Sequence, residues 1–325
     1  MLDTWYGGNR SGWWLAPLGA LFHAVSATRS ALYRRGVLAS KHPTAPVVVV
    51  GNITAGGTGK TPLVIWLAEQ FAAAGVRAGV LLRGYGGKSS RWPLQVEANT
   101  DPALAGDEAV LIARRTGAMV VAAPDRAAGA AQLAAAGVDV IVCDDGLQHY
   151  RLARDCEIVV VDASRGFGNG RFIPAGPLRE STDRLGTVDA VVVNGAGGDW
   201  PDCLRMHVVG DRVVSIGDGN SRPLAEFSGQ RVHAVAGIGN PARFFALLEA
   251  AGLKPVRHEF ADHAVYRHSD FDFGDELPVV MTEKDAVKCN DFATAGMYFL
   301  KVDAVLDDAA ELRRRVSAAT GLQLG

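Results

Sequence analysis

The stretch VVVVGNITAGGTGKTPLVIW, Val47 to Trp66, joins an apolar strand to a helix through a glycine-rich turn. Gly56, Gly57 and Gly59 let the backbone take positive φ and come close to a ligand, so successive N–H groups can cradle phosphate oxygens. Lys60 has the reach to meet β- and γ-phosphates, and Thr61 can ligate Mg²⁺. Pro62 suits a first helical turn that sets the helix N-terminus beside the anion. The loop of Thr54, Ala55, Gly56, Gly57, Thr58 and Gly59, running into Lys60 and Thr61, is therefore expected to bind nucleotide phosphates. The general phosphate-loop spacing asks for glycine where this chain has Thr54, but the three remaining glycines preserve the mechanics. The alternative is a strand-to-helix turn with an incidental lysine.

A second motif, VIVCDDGLQH, ends an apolar strand in Asp144 and Asp145, with Gln148 and His149 just beyond. A carboxylate at a strand tip beside a phosphate loop is how nucleotide-hydrolysing sheets hold magnesium. Other candidates are weaker alone. Asp107 and Glu108 precede an apolar-periodic run, where acids also serve as helix caps. Asp262 and His263 fall in EFADHAVY, Arg179 and Glu180 in PAGPLRES, and Arg126 in APDR.

The elements that must position these residues are legible as apolar runs: 45–51, 76–84, 118–123, 138–145, 157–163 and 189–195. Helical stretches rich in alanine and leucine separate the early ones, as expected for a parallel sheet covered on both faces, with ligands at the carboxyl ends of the strands. Around residues 200–230 the segments become shorter and more polar, and a second βα series follows. The expected fold is α/β: a parallel-sheet core like that of phosphate-loop nucleoside triphosphate hydrolases over 42–222, and a smaller α/β domain over 223–325. Residues 1–41 form an N-terminal interfacial helical segment.

That segment carries Asp3 against Arg10, Arg29, Arg34, Arg35 and Lys41. Within it the 16 residues from Gly12 to Ala27 have no formal charge with histidine neutral. As a helix they reach roughly 24 Å, short of the ~30 Å hydrocarbon core of a bilayer. Trp14, Leu18, Leu21, Phe22, Val25 and Leu32 share one helical face, which suits a helix lying in the membrane interface. The competing reading packs that face on the protein's own core.

Composition excludes other classes. The net charge of −2 offers no basic field for nucleic acid. Cys143, Cys156, Cys203 and Cys289 are too dispersed for a zinc site or a disulfide framework and fit a reducing compartment.

Together the motifs resemble the tetraacyldisaccharide 4′-kinase family of lipid A synthesis. The resemblance is carried by GNITAGGTGKTP, RGYGG, GDEAVLIARRTG, the long run from Asp144 to Glu180, AGIGNPARFF, ADHAVY and TEKDAVKC, in family order from about residue 10 to residue 289. The family's loop also has threonine where the general pattern has its first glycine. Leu82, Ala109 and the ADHA tetrad depart from commoner family residues without touching the proposed chemistry. The resemblance implies ATP as donor, Mg²⁺, and the 4′-hydroxyl of a tetraacylated glucosamine disaccharide 1-phosphate as acceptor. It implies Asp107 as the base, supported by His263, with Lys60 and Arg179 completing the catalytic set. It further implies that Thr61, Glu108, Asp144 and Asp145 serve the metal, and that Arg126 and Gln148 join the loop at the nucleotide. A four-chain lipid acceptor implies work at the membrane surface, on the cytoplasmic face of a bacterial inner membrane as a peripheral or monotopic protein. No obligate protein partner is implied. The rival reading is a membrane-associated regulatory ATPase or GTPase without a sugar acceptor. The GTPase form would need Asn-Lys-x-Asp, and in TEKD the Lys284–Asp285 spacing fails.

Overall fold

The apolar run VVVVG becomes a strand buried along its whole length, as do AGVLL, VIVCD and AVVVN, because helices cover both faces of the sheet that contains them. The computed structural model describes residues 2–7 and 10–324. In chain order the strands are β1 Val47–Gly51, β2 Ala78–Leu82, β3 Leu94–Val96, β4 Met119–Ala122, β5 Val140–Asp144, β6 Cys156–Asp162 and β7 Ala190–Asn194. They continue as β8 Leu204–Ser215, β9 Ser221–Pro223, β10 Arg231–Ala236, β11 Lys254–Glu259, β12 Val279–Thr282 and β13 Met297–Leu306. The helices are α1 Leu2–Tyr6, α2 Ala16–Arg34, α3 Lys60–Ala73, α4 Pro102–Ala105, α5 Asp107–Thr116, α6 Arg126–Ala135, α7 Pro241–Ala250, α8 Glu283–Ala286 and α9 Ala309–Thr320.

One continuous sheet runs β11-β10-β12-β13-β8-β7-β6-β1-β5-β2-β4-β3, with β9 paired to β8. The set from β7 to β4 is parallel, and so is the set from β11 to β13. The two sets meet at the antiparallel β8–β13 ladder. Strand β7 joins β8 at Leu204–Met206 and runs parallel to it, while β12 joins β13 where Leu300 faces Val213. The carboxyl ends of the two parallel sets therefore point toward each other across the middle of the ladder. Seven residue steps of β8, from Met206 to Val213, separate the attachment points, roughly 23 Å of strand. A cleft opens over that interval.

The domain boundary expected at residue 222 falls on β9, beyond the shared ladder. Helix α9 returns to the first set, where it packs on β1 and β6 and Leu312 and Val316 join the core. In the second set, Asp285 is fully buried and accepts hydrogen bonds from Gly237 N (2.8 Å), Thr282 Oγ1 (2.6 Å), Tyr266 Oη (3.0 Å) and Lys288 Nζ (2.8 Å). It ties the turn after β10 to the start of α8, the two pieces of this half that face the cleft.

Helix α2 docks by one side only. Gly19 is buried, and a Cβ there would lie 2.8 Å from the Phe172 carbonyl oxygen; the His23 ring stacks on Phe172 at 3.9 Å. Trp13, Trp14, Leu18, Leu21 and Val25 are each more than half exposed, at 53–68%. Leu32, expected in the same stripe, is instead partly buried.

Asp285→Ala would strand the donors it now satisfies, and truncating one side of a buried ionic cluster costs about 3–5 kcal/mol. Chemical unfolding should therefore show a loss of that order, and a midpoint equal to wild type would contradict the role given to Asp285.

Candidate active site

The cleft holds a cavity of about 600 Å³ walled by both parallel sets. On one side stand Gly56, Gly57, Gly59, Lys60 and Thr61, with Asp144, Asp145, Arg126 and Arg179 beneath them. On the other stand Ile238, Gly239, Asn240, Asp262, His263 and Lys284. Val208, Leu300 and Val302 of the ladder, with Ile65, Phe244 and Leu247, supply an apolar part of the wall.

Lys60 opens α3 after Gly59, whose φ of 90° requires glycine. A Cβ at Gly59 would also meet Asn194 Nδ2 at 2.0 Å. Asn194, at the tip of β7, donates to the Thr58 carbonyl at 2.9 Å and so pins the loop to the sheet. Lys60 Nζ lies 3.5 Å from Asp145 Oδ1, and Arg179 Nη1 donates to the same carboxylate at 3.0 Å. Burial alone would raise the Asp145 pKa, but Lys60, Arg179 and Arg126 hold it at about 2. Asp145 has φ of 50°, a strained left-handed conformation that this network sustains.

Asp144 is the opposite case. It is buried, its Oδ1 has no hydrogen-bond partner, and burial with repulsion from Glu108 raises its pKa to about 7. An orphaned carboxylate oxygen beside a phosphate loop suits a hard cation. Asp144, Asp145, Glu108 and the Thr61 hydroxyl are oxygen donors of the type Mg²⁺ prefers. Among the described residues no three acidic, histidine or cysteine side chains are grouped closely enough to chelate a metal unaided.

Across the cleft, His263 Nδ1 lies 3.1 Å from both carboxylate oxygens of Asp107, a contact between residues 156 positions apart. Burial would raise the Asp107 pKa, yet the hydrogen bond from His263 and the charges of Lys284 and Lys288 outweigh it and hold the carboxyl below its usual range. Burial works against protonation of His263, but the Asp107 hydrogen bond prevails and its pKa is raised. His263 has φ of 60°, and the Tyr85 ring packs on it at 4.7 Å. Asp107 is only 4% exposed, so His263 and Glu108 present this dyad's side of the cavity.

Several expected residues stand behind the wall. Ala55 N donates to the Pro177 carbonyl, Thr54 bridges to Leu178, and Thr58 is buried. Gln148, expected at the nucleotide, instead donates to the Asn52 carbonyl (3.2 Å) and to Glu180 Oε1 (2.6 Å), so it shapes the loop from the rear. Arg126, by contrast, lines the cavity next to Asp144, with Nη1 donating to the Ala123 carbonyl and its Nε without a partner.

Sequence reasoning gave no role to Lys284. Its Nζ lies 3.2 Å from Glu108, 3.2 Å from Asp262 and 3.4 Å from His263 Nε2, a cation at the centre of the dyad. The signal was TEKD at a strand tip, which is the arrangement already read as functional in the first half. Arg115 supports it from behind, donating to Glu283 at 2.8 Å and to Asp303.

A glycine-rich loop between a parallel strand and a helix, carboxylates on the next strand tip and a basic dyad across a cleft define a nucleotide-dependent phosphotransferase. A family model described as tetraacyldisaccharide-1-P 4′-kinase matches residues 11–320. The protein named tetraacyldisaccharide 4′-kinase from Pseudomonas putida (strain W619) is 49% identical over 94% of this chain and 91% of its own length. Its namesake from Stenotrophomonas maltophilia (strain R551-3) is 51% identical over 94% of this chain and 92% of its own. The crystal structure of LpxK from Aquifex aeolicus, in complex with ATP, superimposes with a TM-score of 0.80 at 28% identity, covering 95% of this chain and 99% of that one. The chain belongs to the tetraacyldisaccharide-1-phosphate 4′-kinase family and is an enzyme of the kinase class.

If Asp107 and His263 act as one unit, each alanine variant should lose roughly 10²-fold or more in kcat, and the double variant should be no slower than the worse single. Multiplicative losses in steady-state transfer would show that the two residues act separately.

Proposed function

We propose that this protein transfers the γ-phosphate of ATP to the 4′-hydroxyl of a tetraacylated glucosamine disaccharide 1-phosphate. The observation that carries the reading is the meeting of the Lys60 loop with the Asp107–His263 pair across one cleft. A sugar hydroxyl is a weak nucleophile, and it needs a proton acceptor and an oriented, charge-compensated phosphoryl group. Lys60 and the loop N–H groups hold the phosphates. Arg179 and Arg126 flank the transferred charge. The Asp107–His263 pair takes up the hydroxyl proton as a unit: His263 faces the cavity and passes the proton toward Asp107, the base behind it. Thr61, Asp144, Asp145 and Glu108 would hold Mg²⁺, which when bound with ATP neutralises part of the phosphate charge. The Ile238–Asn240 turn lies against the loop from the second half: a Cβ on Gly239 would sit 3.1 Å from Gly57 N. In this reading residues 42–222 and 223–325 are two working halves of one site.

The same proposal places the enzyme on a membrane surface. Leu18, Leu21 and Val25 are exposed on α2, whose other side is docked to the body, and Trp13 and Trp14 are exposed in the turn just before it. Among the described residues no helix is long and apolar enough to cross a membrane. With ATP as the donor, the cytoplasmic face of the inner membrane is the side this proposal gives it. The guanine-reading alternative loses its residue, since Asp285 is fully buried and engaged with Gly237, Thr282, Tyr266 and Lys288.

Labelled γ-phosphate from Mg²⁺-ATP should appear on the lipid disaccharide with wild type and fall by at least about 10²-fold with Lys60→Ala or Asp107→Ala. A folded, ATP-binding wild-type protein that transfers nothing would overturn the kinase reading. Separately, Leu18→Asp combined with Leu21→Asp should reduce cosedimentation with phospholipid vesicles without lowering the unfolding midpoint; undiminished binding would contradict the interfacial role of α2.

A further inference from the structure

The segment 164–179, between β6 and β7, touches three parts of the enzyme at once. On one side it is joined to the phosphate loop: Ala55 N donates to the Pro177 carbonyl and Arg179 N to the Ile53 carbonyl, both at 2.7 Å. On the other it carries the N-terminal elements. Asn169 N donates to the Trp5 carbonyl (2.9 Å), Trp5 Nε1 donates to the Pro174 carbonyl (3.1 Å), and His23 stacks on Phe172.

Arg165 is where these connections converge. Its Nη2 donates to the Gly239 carbonyl at 2.9 Å, in the turn that covers the phosphate loop from the second half. Its Nη1 lies 3.6 Å from where a Cβ on Gly56 would sit. Its guanidinium lies over the Tyr6 ring in a cation–π contact, 5.4 Å from the centroid, and Tyr6 Oη in turn donates to the Ala55 carbonyl at 3.4 Å. A second contact holds the same turn, since Asn240 Nδ2 donates to Asp162 Oδ2 at 3.4 Å.

We propose that Arg165 is a positioning residue for the nucleotide: it clasps the Gly239 turn over the phosphate loop, and Tyr6 holds it in the clasping pose. Seating of the N-terminal segment is thereby coupled to closure of the site on ATP. This rests on the reading of the cleft as an ATP site. An arginine free of Tyr6 has many rotamers and only one that reaches Gly239, and the aromatic face selects that one. Lysine cannot replace it, because a point charge on a flexible stem neither stacks flat on a ring nor offers a fixed fork.

The test is equilibrium dialysis of Mg²⁺-ATP against the full chain in detergent micelles, with no lipid acceptor, for wild type, Arg165→Met, Tyr6→Ala, Tyr6→Phe and the Tyr6→Ala/Arg165→Met double variant. Arg165→Met and Tyr6→Ala should each weaken ATP binding about three- to tenfold, and the double variant should be no weaker than the worse single. Tyr6→Phe keeps the ring and should stay within about twofold of wild type. In transfer assays the KM for ATP should rise while the KM for the lipid is unchanged. Weakening by Arg165→Met with none by Tyr6→Ala would make Arg165 a direct phosphate ligand and overturn the clasp, as would independent effects in the double variant. If Arg165→Met fails to fold, Tyr6→Ala against Tyr6→Phe still decides: equal affinity for the two refutes the coupling. Failure of the kinase reading would be seen separately, as ATP binding without transfer.

Discussion

Everything at this site depends on the antiparallel pairing of β8 with β13. A parallel sheet presents functional loops at one end only, and a single parallel set would leave the phosphate loop facing open solvent. Reversing direction once, in the middle of a continuous sheet, turns the carboxyl ends of the second set back toward those of the first. The loop after β1, the acids ending β5 and the turns after β10 and β12 then line one cavity. The ladder itself supplies apolar floor at Val208, Leu300 and Val302, so the same element that orients the halves also dries the space between them.

The charges in that space are held in opposed states. Asp145 is locked as an anion between Lys60 and Arg179, whereas buried Asp144 keeps an unpartnered oxygen. An uncompensated buried carboxylate is costly, and such cost is tolerated where a ligand completes the site. On the far wall Lys284 is surrounded by Glu108, Asp262 and His263, so the dyad sits in a field already balanced before any substrate enters. Among the described residues, both non-glycine residues with left-handed backbone in the cavity lining, Asp145 and His263, belong to these networks. Strain and buried charge are concentrated where the chemistry is assigned.

Much of this was readable from the chain. Strands buried on both faces appear as unbroken apolar runs, and a phosphate loop declares itself through glycines that nothing else requires. The stripe from Trp14 to Val25 was visible as a helical period, although Leu32 turned inward where the helix meets the body. The ladder was not readable, because in 204–215 the alternation begun at Leu204–His207 is broken by Gly210, Asp211 and Arg212, which look like a turn. Neither was the position of Gln148, which has the right neighbours in sequence but faces Glu180 behind the loop. Lys284 was passed over because its partners Glu108 and His263 are distant in sequence, and only the fold brings them within reach.

The central claim is that the two halves meet to activate a sugar hydroxyl rather than water. The most direct test is ATP turnover with the natural lipid disaccharide, with a 4′-deoxy analogue of it, and with no lipid. The account predicts ADP release with the natural acceptor and only background release in the other two cases, although the analogue should compete for binding. Equal ADP release in all three would show that the cleft hydrolyses ATP without an acceptor, and would contradict the assignment of the Asp107–His263 pair to the sugar hydroxyl.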